Sequence, residues 1–419
     1  MSGPKQSHHD SHALHAPTEI LTRGYDPKLS VGSARPAVFR SSTYVFSSPE
    51  AAERAFLVAT GRQELKKGEQ LDLIYSRLNH PNAEILETQI APLEEKAQAA
   101  AVFNSGMAAI MTTFFSFTKP GDSFVYTIPL YGGTQHFIHE VLEPFGIRGI
   151  AVPAGENHEL DQAIRHTKNL RLVFIETPAN PTMRMTDMKH AAKTVSELKD
   201  PPLVVIDNTF LGPVFQRPFG LGADIVIYSA TKYLSGFSDM IAGVVLTKDP
   251  GLIKKIRLKR ALFGNILQPD ECWLLDGRLP TVALRMNRQS KNAQRIAERL
   301  THHPSVKKVY YPTLFDDPEQ IRIRNEQCNH PGGIFSLELQ GGKEAAFNFL
   351  RRLEIARNAV SLGGVETLVC HPKTTTHSEL TLPEMNRAGI TDGLVRVSVG
   401  IEDWRDLLAD FEQALNIVK

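Results

Sequence analysis

The sequence predicts an α/β fold with a mainly parallel central sheet and helices on both of its faces, followed by a smaller C-terminal α+β domain. From residue 79 to about 284, short apolar runs alternate with amphipathic helices. These runs are almost continuously apolar, which is typical of strands covered on both faces. After residue 284 the runs become half-apolar, which is typical of a sheet with one solvated face. We therefore expect two different sheets in one chain.

Six apolar runs are the expected strands of the central sheet: 99–103, 123–126, 172–175, 203–206, 225–228 and 243–246. The C-terminal part contains three further expected strands: 306–311, 333–339 and 394–398. Its expected helices are 287–300, 343–353 and 404–417. Helical stretches between strands on one sheet are typical of an α+β domain.

The length of 419 residues exceeds what one hydrophobic core usually supports, so we expect more than one domain. Residues 80–284 would form the large domain and residues 285–419 the C-terminal domain. Residues 1–79 show isolated apolar residues, several prolines and glycines, and a strongly polar stretch at 61–70. This pattern predicts an extended N-terminal arm with a short helix and without a core of its own.

Composition argues against several classes of function. A net charge of +1 with 22% charged residues predicts neither a nucleic-acid footprint nor a membrane-surface patch. We find neither a signal-peptide pattern nor an apolar run long enough to span a membrane. Cys272, Cys328 and Cys370 lack the spacing of a disulfide framework or a zinc site. We expect a soluble cytoplasmic protein without a metal, acting on a small molecule and binding neither nucleic acid nor membrane.

Four histidines crowd the N-terminus: His8, His9, His12 and His15. A metal-binding tail is one interpretation of such a tract. Because no core-forming pattern surrounds these residues, we favour a disordered, solvated terminus or residues left over from cloning.

Several chemical groups follow the apolar runs, where ligands of open α/β sheets bind. Gly106 follows the first run and opens a helix, so free N–H groups and the positive helix end can bind an anion there. Ser229, Thr231 and Lys232 follow the fifth run. Two hydroxyls and an amine at one strand end suit a phosphate with a reactive carbonyl beside it. Each feature alone also fits a plain turn or a surface lysine.

Other strand ends carry complementary groups. Asp207 ends the run 203–206, and a carboxylate buried there requires a cationic partner such as a protonated pyridine nitrogen. A turn after the third run projects Asn180 as a hydrogen-bonding side chain. Tyr131, before two glycines, could stack on a planar ring or belong to the core. A lysine, an acid for the ring nitrogen and a phosphate cup are what a pyridoxal phosphate site needs, so we predict that Lys232 lies in such a site.

The chain resembles the trans-sulfuration family of fold-type I pyridoxal-phosphate enzymes, which includes cystathionine γ-synthase and methionine γ-lyase, from about residue 40 to 415. The motifs that carry the resemblance occur in the family's order: Tyr75-Ser-Arg77, Ser105-Gly-Met107, Leu130-Tyr-Gly-Gly-Thr134, Glu176-Thr-Pro-Ala-Asn-Pro181, Asp207-Asn-Thr209, Ser229-Ala-Thr-Lys-Tyr233, Ser361-Leu-Gly-Gly364 and Arg396-Val-Ser-Val-Gly-Ile-Glu-Asp403. The resemblance implies a carbon–sulfur or carbon–oxygen lyase or a transferase that uses pyridoxal 5′-phosphate.

The resemblance also implies residue roles. Lys232 would hold the cofactor as a Schiff base and transfer protons, Asp207 would keep the ring nitrogen protonated, and Tyr131 would stack on the ring and act at the γ-leaving group. Ser361 and Arg396 would bind the α-carboxylate of an amino-acid substrate. The remaining cofactor contacts would come from Gly106, Met107, Ser229 and Thr231 at the phosphate, Asn180 at the ring hydroxyl, and Tyr75 and Arg77 of a neighbouring subunit, with Tyr75 also beside the substrate. A shared site implies a dimer, and the family's usual state is a tetramer of two such dimers.

Three local features bear on the reaction. Val360 stands before the Ser-Leu-Gly-Gly motif, where members acting on cystathionine commonly carry an acid and methionine γ-lyases share a valine. Gly133 stands where methionine γ-lyases usually have cysteine. The stretch 57–73 looks longer than the family norm, and Glu69 or Asp72 could favour a basic distal group. A solvated surface helix is the interpretation of this stretch that we favour.

We therefore expect a γ-lyase that eliminates the γ-substituent of methionine or of a related C–S or C–O linked substrate such as canavanine. One alternative is γ-replacement on O-acyl homoserine, as in cystathionine γ-synthase or homoserine sulfhydrylases. Cystathionine γ-lyase and a non-catalytic protein that kept the fold are two others. The presence of Lys232, Asp207, Tyr131 and Arg396 argues against the last.

Overall fold

A computed structural model of the chain describes residues 15–416. His8, His9 and His12 of the histidine tract lie outside the described residues. Two sheets with helices around each confirm the predicted α/β fold with a second, smaller sheet. Across residues 15–416, no helix combines the length and apolar character needed to cross a bilayer. The same residues contain no cluster of three or more histidine, cysteine or acidic side chains that could hold a metal ion.

The N-terminal part contains three helices: α1 (Ala16–Thr22), α2 (Pro49–Ala59) and α3 (Pro81–Ile90). The predicted surface helix over 57–73 is wrong, because α2 ends at Ala59 and a loop follows over 60–74. Gly61 and Gly68 adopt φ angles of 73° and 78° within this loop. Such left-handed residues interrupt a helix, and glycine adopts this conformation at little cost.

The central sheet has seven strands: β1 (Ala99–Phe103), β2 (Ser123–Ile128), β3 (Arg148–Pro153), β4 (Leu170–Glu176), β5 (Leu203–Asp207), β6 (Ile225–Ser229) and β7 (Gly243–Thr247). Their order across the sheet is β1-β7-β6-β5-β4-β2-β3. Only β7 runs antiparallel to its neighbours, which confirms a mainly parallel sheet. The carboxyl ends of β4, β5 and β6 therefore meet at one edge.

Strand β4 shows why these strands are continuously apolar. Leu172 and Phe174 pack into the core on one face of the sheet, while Val173 and Ile175 pack into the core on the other. All four side chains are fully buried. Successive residues of a strand point to opposite faces, so a sheet with two covered faces needs apolar residues at every position.

Strand β3 was not predicted. It lies at the edge of the sheet, and of its six residues only Val152 is buried while Arg148 is exposed. A partly solvated edge strand does not require a continuous apolar run, so the signal that identified the other six strands is absent.

Between β1 and residue 276 the chain forms seven α-helices: α4 (Gly106–Phe117), α5 (Gly132–Phe137), α6 (Asn157–His166), α7 (Met188–Ser196), α8 (Gly212–Phe215), α9 (Pro250–Phe263) and α10 (Pro269–Asp276). Helix α4 begins at Gly106 because the Ser105 hydroxyl accepts the N–H of Ala108 at 2.9 Å. This places the start of α4 at the end of β1, beside the carboxyl ends of the parallel strands.

The smaller sheet has the order β10-β11-β12-β9-β8. Its strands are β8 (Val306–Tyr310), β9 (Ile334–Leu339), β10 (Arg357–Asn358), β11 (Leu368–Cys370) and β12 (Leu394–Ser398). The helices of this part are α11 (Val282–Leu300), α12 (Pro318–Gln327), α13 (Gly342–Arg352), α14 (Leu382–Arg387) and α15 (Trp404–Leu415). The proposed domain boundary at 284–285 falls inside α11. The short strands β10 and β11 and the helices α12 and α14 were not predicted.

Candidate active site

A cavity of about 260 Å³ opens at the carboxyl edge of the central sheet. Nine predicted site residues line it: Gly106, Met107, Tyr131, Asn180, Asp207, Ser229, Thr231, Lys232 and Arg396. A tenth, Ser361, reaches the cavity through a hydrogen bond to Lys232. Arg396 lies on β12 of the smaller sheet, so both sheets contribute to the cavity.

Lys232 follows β6 by three residues. Its Nζ donates a hydrogen bond to Ser361 Oγ at 2.9 Å. Burial lowers the pKa of Lys232 to about 8, and the positive charge of Arg396 acts in the same direction. A substantial fraction of the side chain is therefore neutral near physiological pH, which is the form that attacks a carbonyl carbon.

Asp207 is the last residue of β5 and is buried. Burial raises the pKa of this carboxyl, while hydrogen bonds from Thr209 act in the opposite direction. The Thr209 N–H and hydroxyl donate to Asp207 Oδ1 at 3.0 and 2.6 Å. Thr209 Oγ1 also accepts the N–H of Ser229 at 2.9 Å and so joins the ends of β5 and β6. A carboxylate in this position still requires a cationic partner.

The start of α4 lies against the end of β6. A Cβ atom at Gly106 would lie 2.9 Å from Ser229 Cβ, so only glycine permits this approach. The N–H groups of Gly106 and Met107 open the helix and have no intrahelical acceptor, which makes them available to an anion. The Thr231 hydroxyl is already engaged, because it donates to Ala242 O at 3.2 Å and accepts the Ala242 N–H at 3.0 Å.

Arg396 is almost fully buried, with 2% of its surface exposed. Its Nη2 donates to the main-chain oxygens of Val360 and Ser361 at 2.8 and 2.9 Å, and its Nη1 donates to Asn180 Oδ1 at 3.2 Å. Its Nε is buried without a hydrogen-bond partner among the described residues. A buried guanidinium N–H without an acceptor is costly, so the site fits an anionic ligand such as a carboxylate.

Tyr131 lies at the cavity mouth and is 45% exposed. A Cβ atom at Gly133 would lie 2.6 Å from Tyr131 Cε1 and 3.3 Å from Met107 Sδ. A Cβ atom at Gly132 would lie 2.3 Å from Thr376 O. The two glycines therefore allow the Tyr131 ring and main chain to lie close to the cavity wall.

One residue that lines the cavity and one beside it were not predicted. Glu176 ends β4 directly opposite Asp207 in the strand register, and its Oε2 accepts the Tyr131 N–H at 3.0 Å. Burial and the charge of Asp207 raise the pKa of Glu176 to about 8. His377 is buried with Nε2 3.1 Å from Asn180 O, and burial lowers its pKa to about 4. Glu176 carries the same signal as Asp207, an acid after an apolar run, whereas His377 has no such signal.

Tyr75 and Arg77 are not part of the cavity formed by their own chain. Arg77 Nη1 donates to Ala261 O at 2.7 Å, and its guanidinium lies 5.9 Å from the Tyr75 ring centroid. Tyr75 is 42% exposed. Their placement in a neighbouring subunit's site stays a prediction.

Comparison with known proteins identifies the chain. The family described as Cys/Met metabolism PLP-dependent enzyme matches residues 17–416. The chain belongs to this family. It is 40% identical to an L-methionine gamma-lyase of Pseudomonas deceptionensis over 95% of this chain and 96% of the relative. It is 41% identical to a cystathionine beta-lyase of Bacillus subtilis over 81% and 85% of the two chains.

A solved cystathionine gamma-lyase from Lactobacillus plantarum, complexed with L-serine, superimposes with a TM-score of 0.85 at 35% identity, over 97% of this chain and 99% of that one. These similarities confirm the predicted trans-sulfuration family, the fold type and the dependence on pyridoxal phosphate. The chain is an enzyme of this pyridoxal-phosphate-dependent lyase family.

The cavity residues fit pyridoxal 5′-phosphate. An amine with a lowered pKa suits the aldehyde, and a buried carboxylate without a cation suits the ring nitrogen. The approach of Gly106 to Ser229 at the start of a helix suits the phosphate. The partnerless Nε of Arg396 then suits the carboxylate of an amino acid.

Proposed function

We propose that this enzyme is a γ-lyase that eliminates the γ-substituent of an amino acid with an apolar thioether, methionine being the expected substrate. The observation that carries the proposal is that one cavity with an apolar wall contains both Lys232 and Arg396. The pKa of Lys232 is lowered, so its amine can be neutral, and the Nε of Arg396 lacks a hydrogen-bond partner among the described residues. Relatives named L-methionine gamma-lyase, 39–40% identical over more than nine-tenths of this chain, support it.

The cofactor, when bound, withdraws electrons from the amino acid's Cα and so labilises the bonds around it. Lys232 would hold the cofactor covalently through Nζ. Asp207 would provide the negative charge that keeps a proton on the ring nitrogen. The phosphate would be held by Gly106, Met107, Ser229 and Thr231, and Asn180 would contact the ring hydroxyl.

The substrate would be oriented by its α-carboxylate. Arg396 offers Nε as a free donor, and Ser361 lies beside it with its hydroxyl already 2.9 Å from Lys232 Nζ. This arrangement would bring the hydrogens on Cα and Cβ close to Lys232. Its Nζ, released from the cofactor when the amine of the substrate takes its place, would accept a proton from Cα and then one from Cβ, and the electron pair left on Cβ would expel the γ-sulfur. The Tyr131 hydroxyl at the cavity mouth would then protonate the departing γ-sulfur. With water, methionine would yield methanethiol, ammonia and 2-oxobutanoate.

The apolar part of the wall favours a thioether over a charged distal group. Six apolar side chains line it: Met107, Ile110, Phe210, Ile241, Val360 and Leu362. The two acids considered for a basic distal group are engaged within their own chain. Glu69 Oε1 accepts Arg54 Nε at 2.8 Å, and Asp72 Oδ2 accepts the N–H and hydroxyl of Ser47, both at 2.7 Å. Canavanine, with its basic distal group, is therefore the weaker candidate.

We further infer that the enzyme is a homotetramer of two dimers that share active sites, with Tyr75 and Arg77 completing the site of the neighbouring subunit and Tyr75 also beside the substrate. A cytoplasmic location accords with Cys272, Cys328 and Cys370, all of which are free thiols.

A substrate panel tests the reaction. Purified holoenzyme would be incubated with methionine, cystathionine, canavanine, or O-acetyl homoserine with and without a thiol. The products to assay are 2-oxobutanoate, homoserine, methanethiol and new thioethers. We expect 2-oxobutanoate and methanethiol from methionine without an added thiol, and no product from Lys232→Ala. If O-acetyl homoserine together with a thiol were the only combination that reacted, the enzyme would be a transferase and not a lyase. Inactivity toward every amino acid, with the cofactor bound, would favour a non-catalytic role.

A further inference from the structure

Two carboxyl side chains lie next to each other at the floor of the cavity. Glu176 ends β4 and Asp207 ends β5, and the two residues are direct partners in the parallel register. Neighbouring strands are about 4.8 Å apart. Both residues line the cavity, and only 5% and 7% of their surfaces are exposed. The charge of Asp207 raises the pKa of Glu176, and two buried carboxyl groups that interact in this way do not both ionise readily near neutral pH, so the pair retains a proton.

The hydrogen bonds decide which member keeps that proton. Asp207 Oδ1 accepts both the N–H and the hydroxyl of Thr209, and two donors to one oxygen stabilise the ionised form. Glu176 Oε2 accepts the Tyr131 N–H, and the main chain of Asn180 also lowers the pKa of Glu176, but Oε1 is buried and makes no hydrogen bond of ordinary geometry among the described residues. An ionised oxygen without a donor is costly in a buried position. The proton therefore belongs on Glu176.

Other charged and titratable groups also face this pair. Arg396 on β12 favours ionisation of Glu176, and Asp207 on β5 opposes it. Lys232 lies at the end of β6 and His377 contacts Asn180 O, with a pKa of about 4 that leaves its imidazole neutral. The balance raises the pKa of Glu176 to about 8, with burial as the largest cause.

We propose that Glu176 is a positioning residue that stays protonated while Asp207 is ionised, so that it holds the main chain of Tyr131 without adding a second negative charge to the cavity. The inference rests on the proposed function, in which Asp207 serves the ring nitrogen and Tyr131 serves the leaving group. Glu176 touches neither the substrate nor the cofactor in this assignment. It acts by accepting the Tyr131 N–H, and it stays neutral because Asp207 beside it is charged.

The test uses the holoenzyme and three variants. Glu176→Gln removes the titration but keeps an oxygen that can accept the Tyr131 N–H, whereas Glu176→Ala removes both. Glu338→Gln, at another buried glutamate on β9, controls for the general effect of such a change. The visible spectrum of the bound cofactor and the infrared band of protonated carboxyl groups would be followed from neutral to alkaline pH.

In the wild type and in Glu338→Gln, we expect a protonated-carboxyl band at neutral pH that is lost, together with a spectral transition, as the pH rises, because burial and the charge of Asp207 raise the pKa of Glu176. In Glu176→Gln, that transition and that band should be missing. Since glutamine keeps the acceptor for Tyr131, Glu176→Gln should exceed Glu176→Ala in kcat/KM at neutral pH by about tenfold.

Two results would overturn the proposal: the same transition and band in Glu176→Gln, or no advantage of glutamine over alanine. If Glu176→Gln does not fold, Asp207→Asn gives a second arm, because removal of the neighbouring charge should move the carboxyl titration to lower pH. An unmoved titration would reject the coupling. The spectral and infrared measurements need no substrate. Failure of the methionine assay would therefore reject the proposed reaction without deciding whether Glu176 is protonated, which these two measurements test independently.

Discussion

The cavity and the N-terminal arm, meaning residues 15–79, are built in opposite ways. Apart from Tyr131 at its mouth, the cavity groups are buried or half-buried within one chain, as for Arg396, which donates to three acceptors and is 2% exposed. The arm instead presents apolar side chains to solvent, with Val45 96% exposed and Val31 fully exposed. Apolar side chains on such an extended segment favour contact with another surface. One chain thus carries the reactive groups, and in the proposed oligomer the arm would supply surface for a neighbour.

The difference separates two kinds of defect. A change in the cavity alters chemistry that each chain carries for itself, so no other subunit can replace it. A change in the arm would alter what one subunit gives to another, so a second subunit with an intact arm would compensate. The predictions below use this distinction.

The largest effect is expected for Lys232→Ala. Without Nζ, the cofactor has no covalent attachment, so the visible absorption of the bound cofactor should change and borohydride should no longer fix the cofactor to the protein. Activity on methionine should fall below detection. Absorption spectra and mass spectrometry after reduction would measure both. Lys248→Ala, at a lysine just after β7, serves as the control. Retention of the wild-type spectrum and of the reducible link in Lys232→Ala would refute the assignment of the cofactor lysine.

The second prediction concerns the pH dependence of cofactor attachment. The pKa of Lys232 is lowered from 10.5 to about 8, so the neutral amine becomes the major form above pH 8. The attachment rate of pyridoxal phosphate to cofactor-free enzyme should therefore rise with pH and level off above about 8. At neutral pH, the neutral fraction exceeds that of an ordinary lysine by roughly two orders of magnitude. Stopped-flow absorbance would measure the rate.

The pKa of Glu176 is raised to a similar value, so the same experiment needs Glu176→Gln as a control. If the rate of this variant still levels off above about pH 8, Lys232 is the titrating group. A rate that continued to rise toward pH 10.5 would show that burial does not activate Lys232.

The residues that the sequence revealed share one property. Asp207 and Lys232 follow continuously apolar runs, because a sheet covered on both faces needs apolar residues and leaves its chemistry to the strand ends. Strand β3 could not be predicted in this way, because it is a partly solvated edge strand and so lacks a continuous apolar run. The interpretation of the stretch 57–73 as a surface helix fails beyond Ala59, although Gly61 and Gly68 offered the signal against it.

Glu176 was missed for a different reason. The Glu176-Thr-Pro-Ala-Asn-Pro181 motif was interpreted only through Asn180, as a group that faces a ligand. The contact that Glu176 makes is with the main-chain N–H of Tyr131, and no sequence pattern reports main-chain contacts over 45 residues of separation. Pairing of β4 with β5, and hence of Glu176 with Asp207, likewise appears only in the folded sheet.

The arm offers the smallest predicted effect. If Arg77 helps to hold the phosphate of a neighbouring subunit, Arg77→Ala should weaken cofactor binding by about tenfold, as expected for one charge-assisted hydrogen bond. Fluorescence titration of cofactor-free enzyme would measure it. Arg62→Ala, at an exposed arginine of the same arm, is the matched control. Within its own chain Arg77 donates to Ala261 O, so a purely structural role would instead lower thermal stability and leave cofactor affinity unchanged.

Mixed oligomers decide whether the arm acts across subunits. Co-expression of Arg77→Ala and Lys232→Ala chains with different tags would give hybrid dimers in which one site contains both intact residues. Random pairing should restore about a quarter of wild-type activity when half of the dimers are hybrids with one complete site. Activity per Arg77→Ala chain should exceed that of Arg77→Ala enzyme alone, because about half of these chains then pair with a chain whose arm is intact, whereas Lys232→Ala chains contribute only their arms. Activity per Arg77→Ala chain no higher than that of Arg77→Ala alone would place the arm's function within its own subunit and remove the reason for a shared site.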